Sequence, residues 1–169
     1  SASNSMWISP GQSSLSYGGL KPGRNVRLNN DDLLAISREV KGIDNLSARF
    51  SWRGEYRVRY KNQFADFQVI GVNPEYRFVD LQNVIAGRYI NDFDIAEKRK
   101  VAVVGISVAE SLFSGEIPVG KNIEIRGMQF TIVGMYEDPS GDDQQRRIYI
   151  PVSTAQLSQG NNRSVHAIM

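Results

Sequence analysis

Four apolar residues, most of them β-branched, follow the charged Lys98-Arg99-Lys100: Val101-Ala102-Val103-Val104. Such a run predicts a strand covered on both faces. Gly105 then supplies a turn. Ser107 and Glu110 stand three apart before Val108-Ala109 and Leu112-Phe113, the spacing of a capping box, which predicts a helix over about 108–113. Gly115 is placed to close it in a left-handed conformation, and Pro118 prevents its resumption. A strand, a glycine and a helix invite a phosphate-binding reading, but that needs G-x-G-x-x-G, or Gly-Lys-Ser/Thr at the helix start. Here one glycine precedes the helix, and Gly120-Lys121 follows it with Asn122 next. The unit reads as core packing around which the other strands fold.

Upstream, Ser1 to Asn25 is loop-rich, with Met6-Trp7-Ile8 as the end of a strand. Leu33, Ile36 and Val40 recur at helical spacing after Asn30, with Asp31 and Asp32 in the first turn and Gly42 ending the pattern, so a helix is predicted there. From Ile43 the period becomes two. Tyr56, Val58 and Tyr60 alternate with Arg57, Arg59 and Lys61, and Phe64 to Val72 returns after a turn at 61–63. A second hairpin runs from Ile123-Glu124-Ile125 through Arg126-Gly127 to Met128–Met135. Gly71 and Gly134, each inside an apolar strand, predict a bulge or sharp coil. Asn73 to Tyr76 reads as a turn, Gly87 to Asp94 as an irregular link, and the polar Glu137 to Arg147 as an exposed, flexible loop. Ile148-Tyr149-Ile150-Pro151 is a strand. Ser153 and Gln156 repeat the capping-box spacing of a helix start, and Ser164 to Met169 reads as a strand cut short.

Composition narrows the chemistry. With 169 residues, 41% hydrophobic and 22% charged, the chain is an ordinary globular one or two domains. A net charge of +2 is too small to imply nucleic acid. There is no cysteine, which excludes disulfides and thiolate metal sites, and the single His166 lies in an alternating segment without a pattern of acidic partners. No catalytic, cofactor-binding or metal-binding residue is therefore expected. Asp142-Asp143 reads as a solvated acidic tip. Arg57, Arg59 and Lys61 form one basic stripe along a strand face, with the tyrosines and Val58 facing the core. It is a candidate partner-contact surface, or else a guard on a sheet edge.

One series of motifs runs Gly87-Arg88 with Asp94, Lys100–Gly105, Val108-Ala109 with Leu112-Phe113, Pro118-Val119-Gly120-Lys121 with Ile123, Phe130 with Ile132-Val133-Gly134, and Ile148–Pro151. In this order and spacing the series resembles the MacB-like periplasmic core domain of ABC-transporter permeases, the group that includes MacB, the lipoprotein-releasing permeases and FtsX. The resemblance covers about 26–169. It implies an α+β fold: a membrane-proximal α/β subdomain, incomplete here, with an inserted β-rich subdomain. Residues 1–52 would begin the α/β part, 53–150 form the insertion and 151–169 return, with the family's α/β part continuing past Met169.

The implied function is non-catalytic: an extracytoplasmic domain coupling ATP-driven motion to export or extraction of a substrate, with ATP hydrolysis on a separate nucleotide-binding domain. Implied partners are the transporter's ABC ATPase, a second permease copy, and a periplasmic adaptor or outer-membrane component. The implied location is the bacterial inner membrane, facing the periplasm, with anchoring through flanking helices. No cofactor is implied. The competing readings are a small periplasmic ligand-binding module and a secreted hydrolase; the absent G-x-S-x-G elbow and the single histidine stand against the hydrolase.

Overall fold

The computed structural model describes residues 6–9, 11–16, 18–44, 46–80 and 82–158, and the backbone of 166–168. In chain order the elements are β1 (Trp7–Ile8), β2 (Gly11–Gln12), β3 (Asn25–Val26), α1 (Asn30–Glu39), β4 (Ser47–Tyr60), β5 (Gln63–Val72), α2 (Tyr76–Val79), β6 (Asn83–Gly87), α3 (Asp92–Ala96), β7 (Val101–Gly105), α4 (Ile106–Phe113), β8 (Asn122–Ile125), β9 (Met128–Glu137), α5 (Asp142–Gln145), β10 (Arg147–Pro151), α6 (Val152–Leu157) and β11 (His166–Ile168). All strands except the β2–β3 ladder belong to one mixed sheet. This is an α+β fold dominated by strands. No helix among the described residues is long and apolar enough to cross a membrane.

The sheet closes on itself. β4 pairs antiparallel with β5, β5 parallel with β10, β10 antiparallel with β7, and β7 parallel with β9. β8 then pairs antiparallel with both β9 and β4, completing a ring of six strands. Closure needs strongly bent strands, and bulges supply the bend. The β4–β5 register shifts between Ser51 and Glu55, and the β7–β9 register shifts between Ala102 and Val103.

Alternation along the strands sends one set of side chains into the ring and the other outward. Val58, Phe67, Val69, Ala102, Val104, Ile123, Ile125, Phe130, Ile132, Ile148 and Ile150 form the inner core, joined by Val108, Leu112 and Phe113 of α4 and by Val152 and Ala155 of α6. α4 packs against β4, β5, β7 and β9, so it plugs the ring. Each fully buried Val, Leu, Ile or Phe among them contributes roughly 1.5–3 kcal/mol. The outward set of β5, β7, β9 and β10 meets α2 and the segment after β6 in a second core of Ile70, Val72, Tyr76, Val79, Tyr89, Ile90, Val103, Tyr136 and Tyr149. Val101–Val104 is thus covered on both faces, as its apolar run predicts. Burial pushes the hydroxyls of Tyr76, Tyr89 and Tyr136 well above the usual tyrosine range and that of Tyr149 up to about 12.

Two glycines explain themselves by contact. β6 crosses β9 with Gly87 opposite Gly134. A Cβ on Gly87, which sits at φ +70°, would overlap the carbonyl oxygen of Val133, and one on Gly134 would overlap that of Arg88. Gly134 lies beside the β7–β9 register shift, as its placement in an apolar strand predicts. Gly71 has a different cause: the β4–β5 pairing is regular there, and the methyl of Ala155 in α6 occupies the space a side chain would need.

Several local expectations are corrected. The Gly87–Asp94 link is ordered: β6 ends at Gly87 and α3 begins at Asp92 under a capping box formed by Asn91 and Asp94. The N-cap of α1 is Asn29, whose side chain accepts from the amides of Asp31 and Asp32 while the Asp32 carboxylate accepts from the Asn29 amide. α4 starts at Ile106 with Gly105 as an N-cap, so Ser107 is already inside the helix and forms no cap; at its other end Ser114 is a left-handed C-cap and Gly115 follows at φ +88°, the positive φ expected of it. The predicted cap of α6 is replaced by long-range bonds, Ser153 Oγ donating to the Ile95 carbonyl at 2.7 Å and Gln156 pairing with Asn30. Glu137–Arg147 is not an open loop. It holds α5, Asp138 is buried, and the Tyr136 hydroxyl reaches the carbonyls of Gln144 at 2.7 Å and Arg147 at 3.2 Å. The side chain of His166 lies outside the described residues.

Candidate functional site

The outer face of the β4–β5 hairpin is left bare by the second core. Alternation places Arg57 and Arg59 of β4 on it, beside Phe64 and Asp66 of β5 and Glu124 of β8. The tyrosines and Val58 turn the other way: Val58 is fully buried, and Tyr56 and Tyr60 pack partly buried against the inner core. This is the facing that period-two reading predicts for Arg57 and Arg59.

Neither arginine is a free charge. Arg57 Nε and Nη2 donate to the two carboxylate oxygens of Asp66 at 3.1 and 3.3 Å, and this bond lowers the pKa of Asp66. Arg59 Nη2 donates to Glu124 Oε2 at 2.7 Å. Arg57 and Asp66 are open to solvent and the Arg59–Glu124 pair is only partly covered, so water and salt screen both pairs. The guanidinium of Arg57 also lies 5.1 Å from the ring centroid of Phe64, which is 61% exposed.

Lys61 does not belong to this stripe. It opens the hairpin turn at φ +51°, which ends the alternation at Tyr60. Its ammonium sits 5.1 Å from the ring of Tyr60, on the side where Lys121 also stacks on Tyr60 and Phe113 and pairs with Glu116.

In its place the fold brings in Arg126, 67 positions from Arg59 in the chain. Arg126 and Gly127 form the β8–β9 turn, both at positive φ, the primed geometry that suits a two-residue hairpin. Ring closure sets Ile125 opposite Val58, which carries Arg126 to the Arg57 end of the pairing. Its guanidinium lies 5.1 Å from the ring of Trp52 and 5.4 Å from that of Tyr56. Arg57, Arg59, Phe64, Glu124, Arg126 and Gly127 together line a shallow depression of about 360 Å³. Phe64 could have been read from the strand parity it shares with Asp66. Arg126 could not, because its place depends on which strand closes the ring.

The face sets aromatic rings, guanidinium donors and carboxylates side by side on the sheet; arginines and aromatics are enriched at protein contacts, whereas carboxylates are depleted there. Among the described residues no group of three or more histidine or acidic side chains is placed to hold a metal ion.

Comparison with known proteins places the whole chain. The family model described as "MacB-like periplasmic core domain" matches residues 1–169. The macrolide export ATP-binding/permease protein MacB of Bdellovibrio bacteriovorus is 32% identical over 136 residues, covering 79% of this chain and 21% of that protein. The pyoverdine export ATP-binding/permease protein PvdT of Pseudomonas aeruginosa is 31% identical over 136 residues, covering 77% of this chain and 20% of that protein. The chain thus spans about a fifth of the length of these relatives. Among solved structures, the periplasmic region of MacB from Actinobacillus actinomycetemcomitans superposes with a TM-score of 0.78 at 20% identity, covering 98% of this chain and 74% of that one. The extracellular domain of YknZ, a noncanonic ABC-type transporter from Gram-positive bacteria, gives 0.72 at 21% identity over 85% of this chain and 73% of that one. These likenesses show the shared fold, and the match across every residue makes the chain a member of the MacB-like periplasmic core domain family.

Proposed function

We propose that the chain is the extracytoplasmic domain of an ABC export permease, a non-catalytic part that passes ATP-driven motion to the export of a substrate. The observation that carries this reading is the family match along the full chain, joined to relatives named as ATP-binding/permease proteins for export. It favours transport over a free-standing ligand-binding module or a hydrolase. In this reading ATP is hydrolysed on another domain or subunit, the permease works as a dimer in the inner membrane with this domain in the periplasm, and an adaptor or outer-membrane component docks on it. Residues 1–52 and 151–169 form the membrane-proximal part and 53–150 the insertion. The face carrying Arg57 and Arg59, with Lys61 at its turn, is proposed as the side that meets a partner.

These 169 residues hold no cysteine, so a cysteine introduced among them is the sole thiol of this stretch. Paired cysteines introduced on this domain and on a neighbouring part of the full-length permease lock the two together under oxidation. Locked transporter should stop exporting and recover on reduction. Export and ATP turnover unchanged by the lock, or by deletion of the domain, would overturn the proposal.

A further inference from the structure

The geometry points to a carboxylate-binding contact site on the barrel face, built around Arg126 and Phe64, that takes a segment of a partner protein presenting an acidic side chain beside an apolar one. Within this depression the count of charges leaves Arg126 without an acid. Three guanidinium groups, Arg57, Arg59 and Arg126, stand with two carboxylates, Asp66 and Glu124. Asp66 answers Arg57 and Glu124 answers Arg59, which leaves one positive charge. Among the described residues Arg126 has no acidic partner within ion-pair distance, only the rings of Trp52 and Tyr56 beneath it.

Stacking of this kind holds a guanidinium plane in place while its N–H edge stays open to an acceptor. The bound acid then gains paired N–H donors without the entropy of ordering a free arginine. Phe64 lines the same depression, is mostly exposed and has the Arg57 guanidinium 5.1 Å from its ring centroid, so it offers apolar surface beside the guanidinium groups. An apolar side chain next to the carboxylate would cover it. Arg57 and Arg59, already neutralised, flank the contact as a polar rim and do not supply its charge. The bland role for Arg126, shielding the buried Trp52 from water, needs its stem and its stacking but not an unpaired charge on the rim of a depression.

This inference rests on the reading of the face as a contact surface, but the test is independent of transport. The 169-residue chain with labelled arginine side chains is titrated with acetyl-Asp-Leu-Phe-amide and, separately, with acetyl-Asn-Leu-Phe-amide, while the Arg126 Nε–H and Phe64 ring signals are followed by NMR. The acidic peptide should shift both signals saturably, and the amide peptide should bind about three- to tenfold more weakly. Arg126→Gln and Phe64→Ser should each weaken the acidic peptide by a similar factor. Phe64 is exposed, so Phe64→Ser should leave folding intact and keeps the test valid if Arg126→Gln disturbs Trp52. Equal response to both peptides, or shifts spread over other arginines without saturation, would overturn the assignment. So would Arg126 shifts that follow chain concentration or phosphatidylglycerol vesicles in place of the peptide, since they indicate a second copy or a lipid surface. A failed peptide titration beside intact export removes the carboxylate site alone; blocked export by the locked domain beside a failed titration leaves the transport reading standing.

Discussion

Arg88 grips Asp94 through two nearly parallel N–H···O bonds, of 2.6 Å from Nη1 and 3.1 Å from Nη2, although the arginine is 40% exposed and the aspartate wholly buried. The same carboxylate accepts the Asn91 amide at 3.0 Å, and Arg99 stands 3.9 Å away. One buried charge therefore joins the end of β6, the start of α3 and the approach to β7. Arg88→Ala removes its main counter-charge and should cost about 3 kcal/mol, the low end for breaking a buried pair because Arg99 remains. Asp94→Asn should cost about 1.5–3 kcal/mol through weakened bonds to a formerly charged acceptor. Burial pushes the Asp94 pKa up, but the Arg88 hydrogen bonds, the Asn91 amide and both arginine charges outweigh it and hold the pKa below the unfolded value near 3.8. A depressed carboxylate stabilises fully above the unfolded value and loses that contribution as pH falls through the folded one. Urea denaturation at pH 7 and below pH 4 should show wild type losing stability with acid and Asp94→Asn losing less. Parallel curves for the two would contradict this role.

Gly87 and Gly134 face each other with no room between β6 and β9 for either side chain. Gly134→Ala should lower stability by several kcal/mol, in the range of overpacked cores and strained backbones. Gly120→Ala, at φ +86° but in open space, should cost only about 1–2 kcal/mol for the left-handed backbone. Melting temperatures of the two variants decide it. A Gly134→Ala protein as stable as Gly120→Ala would mean that β6 and β9 can separate freely.

The second core predicts behaviour in alkali. Tyr76, Tyr89, Tyr136 and Tyr149 are all buried and hold their protons above the unfolded value of 10.0. A group whose folded pKa is raised stabilises fully below its unfolded pKa and loses that contribution as pH rises above it. Stability should therefore fall above pH 10. Absorbance at about 295 nm after a jump to pH 11 should include a slow phase that tracks unfolding. A single fast phase accounting for every tyrosine would show that this layer is open to solvent.

Trypsin separates the observed 137–147 segment from the open loop that its polarity suggests. Arg146 follows α5 and its guanidinium lies 5.4 Å from the ring of Phe67, while Arg147 is the first residue of β10, paired on to β5. Cleavage needs an extended, released backbone. Limited digestion should cut first after Lys21, Arg24 or Arg27, which are exposed, and only later after Arg146 or Arg147. Early fragments ending at Arg146 or Arg147 would restore the flexible loop.

What could be read from the residues, and what could not, divides along the range of the forces. Val101–Val104, the two hairpins and α1 were legible because alternation, helical spacing and turn residues act within a few positions. The cap of α4 was not. Gly105 serves there because the backbone of Gln145 lies against it, 40 positions away in the chain, and a Cβ would collide. Ser153 and Gln156 had the spacing of a cap, yet their side chains bond to Ile95 and Asn30, partners that only the folded chain supplies. The basic stripe failed at Lys61 for a local reason, a left-handed turn residue, and gained Arg126 for a global one, closure of the ring through β8. The polar 137–147 segment looked free because its anchors are backbone carbonyls taken by the Tyr136 hydroxyl, which polarity of side chains does not report.

The place of β10 in the ring governs how this chain can come together in time. It inserts between β5 and β7, parallel to one and antiparallel to the other, yet its residues are 147–151. Until that segment arrives, β5 and β7 each keep an unpaired edge, and the ring cannot shut however early its hairpins form. Pairings this distant along the chain fold slowly. Before residues 147–151 join, this domain is therefore a half-built vessel with two sticky seams, the kind of intermediate that aggregates unless something shields it.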